Sequence, residues 1–333
     1  MKRFAVAELV GRDWLAGLEA AVASGLAGYA FDHFRRYPGA REGWMGYWRE
    51  RLDGLAANPE WTFYLEGEGA DACLLGCRVS SWDREHFGFT MAFPCLLLCP
   101  EGPTAASGLA AVLDACLGDL ARAGVGFAST RVCGANLAAV HALEARGFRY
   151  YETEVSPVAP LEGRDLSRDP DVRLARESDL PELRRIAPRS QFPQGHYQAD
   201  PGFDPAKVAA MYAKWVDTSW RNGEPLAVIE SNGRVAGYFI FRRDPDLDRA
   251  TGRTWGCMRS LALDPAARGQ GLGGRLFAGT MALMQDMGCT WVDSTYSTKN
   301  HVSGAIHAAA GFTPVYEEVT LHLWLDRNAG GRR

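Results

Sequence analysis

Apolar positions along the chain switch between two periods. Over residues 272–287 they recur every three or four residues at Leu272, Leu276, Thr280, Leu283, Met284 and Met287, which predicts an amphipathic helix. Just before it, "MRSLALDP" (258–265) is a short apolar run that reads as a strand. "LAVIESNGRVAGYFIFRR" (226–243) is two β-like runs broken at Asn232-Gly233, the signature of a tight hairpin. "WTFYLEGEGADACLLGCRVS" (61–80) has the same form, with its turn at Gly67–Gly69. Aromatic helical stretches precede both, "WMGYWRERL" (44–52) and "AAMYAKWV" (209–216).

The two halves also end alike. "ANLAAVHALEARGFRYYETEV" (135–155) and "KNHVSGAIHAAAGFTPVYEEV" (299–319) each place an Asn eleven residues before a Gly-Phe pair, Asn136 before Gly147 and Asn300 before Gly311. Each predicts a short helix opened by an Asn cap, closed by glycine and followed by a strand. Two copies of one α/β unit are therefore expected. The boundary falls in "SPVAPLEGRDLSRDPD" (156–171), rich in Pro, Gly and charge. This gives domains over 1–156 and 172–333. At the head of the second, "VRLARESDLPELRRIA" (172–187) predicts a strand and then a helix capped by Ser178 or Asp179.

The copies differ at one place. In the second, the strand runs into Arg268, Gly269, Gln270, Gly271, Leu272, Gly273 and Gly274 before the helix. A strand, a glycine-rich turn and a helix N-terminus form an anion site, because the first-turn N–H groups lack partners and the helix dipole is positive there. The first copy reads "AFPCLLLCPEGPTAASGL" (92–109) at this point and has neither the arginine nor the glycine ladder. The loop lacks the Gly-Lys-Ser/Thr of a P-loop. Its glycine spacing and late position do not fit a dinucleotide fingerprint.

Arg268, Gly271 and Gly273 form an Arg-x-x-Gly-x-Gly pattern. With "LALDPAARGQGLGGRL" (261–276), the next strand "WVDSTYSTKN" (291–300) and the Asn300 helix, residues 172–325 resemble the GNAT superfamily of acetyl-CoA-dependent acyltransferases. "SSWDREHFGF" (80–89) in the first half resembles the Trp-Asp-x-x-x-Phe-Gly stretch of the dTDP-fucosamine acetyltransferases. Those sugar N-acetyltransferases join a half without acetyl-CoA to a complete GNAT half. The resemblance implies tandem GNAT-like units, each a mixed β-sheet flanked by helices. The first would be degenerate and the second would take acetyl-CoA as acyl donor.

The resemblance also implies roles. Pantetheine would pair along Leu261, Ala262 and Leu263, whose strand N–H groups would also serve the oxyanion. The pyrophosphate would lie on Arg268–Gly274, and Asn300 would contact the pantetheine besides capping its helix. Family members usually carry Tyr seven residues after that Asn, as the acid for the leaving thiolate; here the position is His307. Leu143 fills it in the first copy. The proton would come from His307 as imidazolium or from Tyr296, or the thiolate would be released directly to water. Asp293 is the candidate base. His196 and Tyr197, in "FPQGHYQAD" (192–200), and Arg259 are candidates for the acceptor. The expected acceptor is a primary amine of a small molecule, with an amino sugar or nucleotide-linked amino sugar as the particular case. Acylation of protein or peptide amines and a non-catalytic acyl-CoA-binding module are the alternatives.

Bulk properties set outer bounds. The 333 residues are 47% hydrophobic and 23% charged, with a net charge of −4, a globular composition with no broad basic face for nucleic acid. The eight cysteines have no zinc or CxxC spacing and read as small core residues in a reducing compartment. No apolar run nears the roughly 20 residues of a membrane span. Glu8 and Asp13 interrupt any signal-peptide core in the N-terminal "MKRFAVAEL". A cytoplasmic protein with no metal is expected, and composition does not separate monomer from homodimer.

Overall fold

The computed structural model describes residues 2–4, 36–67, 72–99, 103–190 and 192–325. The readings placed on Glu8, Asp13, Gly69 and Pro100 lie outside them. The chain divides into one unit of Met1–Thr153 with Glu317–Arg333 and another of Glu154–Tyr316.

The first unit contains β1 (Lys2–Phe4), α1 (Ala40–Ala56), β2 (Trp61–Glu66), β3 (Cys73–Ser80), α2 (Ser81–Phe87), β4 (Met91–Leu98), α3 (Pro103–Arg122), β5 (Phe127–Cys133) and α4 (Leu137–Glu144). β1 to β4 pair antiparallel in sequence order, and β4 pairs parallel to β5 only at Met91 and Ala92. Leu109, Val112, Leu113 and Cys116 of α3 pack on Leu75, Ala128 and Val132 of this sheet.

The chain then enters β6 (Arg149–Pro160), β7 (Val172–Leu174), α5 (Leu180–Ile186), α6 (His196–Ala199), α7 (Pro205–Arg221), β8 (Leu226–Ser231), β9 (Arg234–Arg243), α8 (Pro245–Thr251), β10 (Trp255–Leu263), α9 (Leu272–Asp286), β11 (Trp291–Asp293), β12 (Tyr296–Ser297), α10 (His301–Ala309) and β13 (Thr313–Trp324). In the second unit β7, β8, β9 and β10 pair antiparallel in that order, and β10 pairs parallel to β11. One face packs Met258 and Val292 against Leu276, Phe277, Met281 and Met284 of α9. The opposite face packs Val228, Tyr238 and Ile240 against Leu183 and Ile186 of α5 and Val216 of α7. Each unit is thus a mixed sheet flanked by helices.

The repeat is visible in local geometry. Asn136 accepts from the Ala139 N–H at 3.0 Å and Asn300 from the Ser303 N–H at 3.1 Å, so both short helices open on the same cap. Gly147 and Gly311 close them at φ +88° and +76°, a conformation that favours glycine. Asn232 and Gly233, at φ +52° and +72°, make the tight hairpin turn.

The division differs from the expected 1–156 and 172–333. Each half gives its last strand to the other unit. Within β6, Val158, Ala159 and Pro160 pair with β11 of the second unit. Within β13, Glu318–Trp324 pair with β5 of the first. The Pro- and Gly-rich 156–171 stretch is no free linker. It begins inside β6, and Leu161 and Leu166 join the second core. Ser178 and Asp179 lie in a short 3-10 turn before α5, and the Asp179 carboxylate accepts the Arg176 N–H at 2.7 Å.

All eight cysteines are free thiols, six of them buried. Among the described residues no helix is long and apolar enough to cross a membrane.

Candidate active site

The site follows from the length mismatch of two parallel strands. β10 has nine residues and β11 three. They pair only at Trp255 with Trp291, Gly256 with Val292 and Cys257 with Asp293. Beyond Cys257, β10 continues along β9, to which it stays paired through Leu263 and Gly237. Residues 258–263 therefore run past the end of β11 with no partner strand on that edge among the described residues; Leu261, Ala262 and Leu263 lie on this stretch, and the Leu263 carbonyl accepts from the Ser190 hydroxyl. A bulge at Arg259, between the paired Met258 and Ser260, re-aims the strand there.

The open edge leads into the glycine loop. The Asp264 carboxylate accepts from the Ala266 N–H at 2.9 Å and is ion-paired with Arg185, which fixes the turn after β10. The turn N–H of Ala266 and then the Arg185 guanidinium hold this carboxyl below the usual carboxylate range. Gly269 and Gly271 sit at φ +76° and +74°, and a Cβ built on either meets nothing within 4 Å. The backbone conformation, not crowding, demands glycine, and the space above the loop is open. Gly271 is the N-cap of α9 and offers no side-chain cap. Gln270 is exposed, and its amide donates to the Ala266 carbonyl at 3.3 Å. Leu272 is buried beneath, anchoring the first turn, while Gly274 is exposed beside the half-buried Gly273. Arg268 is exposed with no side-chain partner among the described residues. Unsatisfied N–H groups, an open cradle and an uncommitted guanidinium fit a phosphate ester.

The groups with candidate chemistry divide between the two faces of the sheet. His307, only 4% exposed, packs edge-on against Phe277 and Phe312 on the α9 face, with centroids at 4.8 and 5.1 Å. Its Nδ1 lies 2.8 Å from the Ser303 carbonyl and its Nε2 lies 2.9 Å from the Ser294 hydroxyl. Burial lowers its pKa below the ordinary value, and the bond to Ser303 opposes this only in part. This environment does not favour the imidazolium, one of the three proton sources the sequence left open.

Tyr296 lies over the same ring at 4.7 Å, and its hydroxyl has no hydrogen-bond partner among the described residues. Gly304 lets it approach, since a Cβ there would stand 3.3 Å from the Tyr296 ring. Asn300 caps α10 beside them.

Asp293 is buried in register with Cys257, and Cys257 with Arg242 of β9. Residues in register share a face, and Ser294, one residue on, turns to the other face toward His307. Asp293 and His307 thus lie on opposite sides of the sheet. Burial, then the Asp293 charge, pushes the Cys257 thiol up, and Arg259 pulls the other way. Arg259 and Asp293 therefore share an electrostatic neighbourhood.

His196 and Tyr197 form the start of α6. Their rings lie 4.1 Å apart, and Tyr197 packs edge-on to Phe203 at 5.0 Å. Tyr197 is buried and His196 half-buried, so His196 is the more accessible of the two. Sequence reading missed Ser294 and Cys257; strand parity around Asp293 is the signal that places them.

An open strand edge that ends at an uncapped helix N-terminus has the geometry to receive an extended ligand carrying a phosphate. Residues 191–312 match the Acetyltransferase (GNAT) family model. Solved structures share the fold. A GCN5-related N-acetyltransferase from Sphaerobacter thermophilus aligns with 90% of this chain and 95% of its own at 13% identity and a TM-score of 0.54. One from Kribbella flavida aligns with 85% of this chain and 95% of its own at 14% identity and a TM-score of 0.50. A glucosamine N-acetyltransferase region of a fungal multi-domain GH3 β-N-acetylglucosaminidase aligns with 90% of this chain and 38% of that one, at 14% identity and a TM-score of 0.55. No curated protein matches the chain in sequence.

Proposed function

We propose that the chain is an N-acetyltransferase moving an acetyl group from acetyl-CoA to a primary amine of a small molecule. The observation that carries this is the open β10 edge running into the uncapped N-terminus of α9. In this reading the second unit takes acetyl-CoA and the first is a degenerate copy, because the stretch before α3 lacks the arginine and the glycines.

Leu261, Ala262 and Leu263 pair with the pantetheine through their backbone, and strand N–H groups beside the thioester stabilise its developing oxyanion. Arg268 and the N–H groups of Gly269–Gly274 hold the pyrophosphate. Asn300 has its carbonyl oxygen committed to the cap, so its amide N–H groups are the ones that face the pantetheine role. Tyr296, with an uncommitted hydroxyl, donates the proton to the leaving sulfur. Asp293, with Arg259, His196 and Tyr197, belongs to acceptor binding, where its carboxylate holds the amine for attack. An amino sugar, free or nucleotide-linked, is the acceptor class to assay first, in keeping with the Trp82–Gly88 stretch.

The test is acetyl-CoA binding by calorimetry. Wild type should bind one equivalent. Gly271→Asp, which sets a carboxylate at the pyrophosphate position, should weaken binding at least tenfold. Unchanged affinity in that variant, or a second equivalent bound, would overturn the assignment.

A further inference from the structure

The Ser294–His307 contact has a direction. A carbonyl oxygen can only accept, so the 2.8 Å contact to Ser303 places the ring hydrogen on Nδ1. The neutral ring then offers Nε2 as an acceptor, and across 2.9 Å the Ser294 hydroxyl donates to it. A ring held this way can take a proton at Nε2 but has none to give there. Ser294 is the first residue past the last β10–β11 pair, where the two strands part. It is about 5% exposed, which keeps bulk water from the pair.

The N-acetyltransferase reading given above is the premise here. On it, we propose that Ser294 and His307 form a proton relay that takes the proton from the attacking amine and afterwards returns it to the sulfur. As the amine nitrogen forms its bond to the acetyl carbon, its N–H proton passes to Ser294 Oγ. The Ser294 proton passes in the same event to His307 Nε2. The imidazolium so formed keeps Nδ1–H on the Ser303 carbonyl. The C–S bond breaks with its electron pair on sulfur. His307 then returns its proton through Ser294 to the thiolate, so that amine and thioester become amide and thiol, with no proton left over. Tyr296, above the same ring, orients it, and where its hydroxyl is the group that protonates sulfur the His307 proton restores the phenol, so that none is left over.

Burial, which lowers the His307 pKa, keeps the ring in the accepting form at neutral pH. The groups against the ring from neighbouring stretches are Phe277 of α9, Tyr296 of β12, Phe312 just before β13 and Ser294 after β11. Of these only Tyr296 is titratable, so no charged neighbour among them opposes or forces protonation.

Two measurements test this. Nitrogen-15 NMR of the full chain without substrate should find the His307 ring neutral at pH 7, with hydrogen on Nδ1. Hydrogen on Nε2, or an imidazolium at pH 7, overturns the relay. In turnover, Ser294→Ala should lower kcat by about 10²-fold, within the range of a positioned acid–base group. KM for acetyl-CoA should stay within threefold, and the acidic limb of the kcat profile should vanish. Ser294→Thr, which keeps the hydroxyl, should recover at least tenfold over Ser294→Ala and regain the limb. A Ser294→Ala variant within threefold of wild type with its acidic limb intact overturns the relay. An acetyl adduct trapped on Ser294 does so too, because the serine is then a nucleophile. Failure of wild type to bind acetyl-CoA defeats the enzyme reading instead, and the ring tautomer is decided without it.

Discussion

His307 shows how far a residue's identity and its chemistry can separate. Its place, seven residues after the cap Asn300, was legible from the repeat, but its ionisation was not. That depends on Phe277 of α9, Tyr296 of β12 and Phe312 before β13. The stability consequence has a definite sign. The fold disfavours the charged ring, so the folded chain binds fewer protons than the unfolded chain. Stability should be full above the unfolded value, about 6.5, and should fall as pH drops through the lower folded one. Thermal melts between pH 7.5 and 5 should show this fall, and His307→Phe should flatten it. An equally steep fall in that variant would place the titration elsewhere. Kinetically, Tyr296→Phe should cost about tenfold or more in kcat if its hydroxyl reaches the sulfur, with acetyl-CoA affinity unchanged because the contact matters in the transition state. Single-turnover kinetics with calorimetry separate the two quantities. Ser294 left no mark in "WVDSTYSTKN", where four other hydroxyl side chains compete. Only strand parity, fixed once Asp293 pairs with Cys257, turns Ser294 toward His307.

At the scale of elements, glycine at position 237 sets the shape of the open strand. A Cβ there would stand 2.4 Å from the Leu263 side chain and 2.7 Å from the Ala262 carbonyl oxygen. The second contact is backbone and cannot rotate away, so Gly237→Ala must push β9 off β10 at the residues assigned to pantetheine. Overpacking of this kind costs about 1–3 kcal/mol. The urea midpoint should fall and acetyl-CoA affinity should fall with it; a variant with both unchanged would mean the strand pair has slack there. Gly274→Ala is the contrast, since a Cβ at Gly274 meets nothing within 4 Å. It should leave the midpoint unchanged or raise it slightly by reducing unfolded-chain freedom. Much at this scale was legible. The 226–243 hairpin, the α9 helix and both Asn-capped helices stand where period and cap residues placed them, because each is fixed by contacts near in sequence. The α9 stripe is buried at Leu272, Leu276, Thr280 and Met284, while Met287 is 41% exposed past the last turn. The expected strand over 291–300 broke into Trp291–Asp293 and Tyr296–Ser297. An apolar run records the tendency to extend but not where a partner strand stops.

At the scale of the molecule, the exchange of last strands could not be read from the pattern. Residues 313–324 alternate in the same way whichever sheet they join, and only long-range pairing decides. The consequence is testable by ending the chain after Tyr316. That removes Glu318–Trp324, which pair with Cys133–Phe127 of β5. It also removes Leu321 and Leu323, 1% and 5% exposed in the core with Ala128, Val132, Leu143 and Phe148. Each buried leucine contributes about 1.5–3 kcal/mol, and β5 loses its whole antiparallel ladder on that side. Set against a typical domain stability of about 5–15 kcal/mol, the loss falls heavily on the first unit. The second unit keeps β7 to β11 and the glycine loop intact, since none of its pairings with β10 uses those residues. Hydrogen exchange should therefore find the amides of 127–133 unprotected in the shortened chain, while those of 255–263 stay slow. Acetyl-CoA should still slow the 268–274 amides. Loss of protection in 255–263 to the same extent would mean that the unit division does not follow cooperative structure, and that the strand given to the first unit also holds the second together.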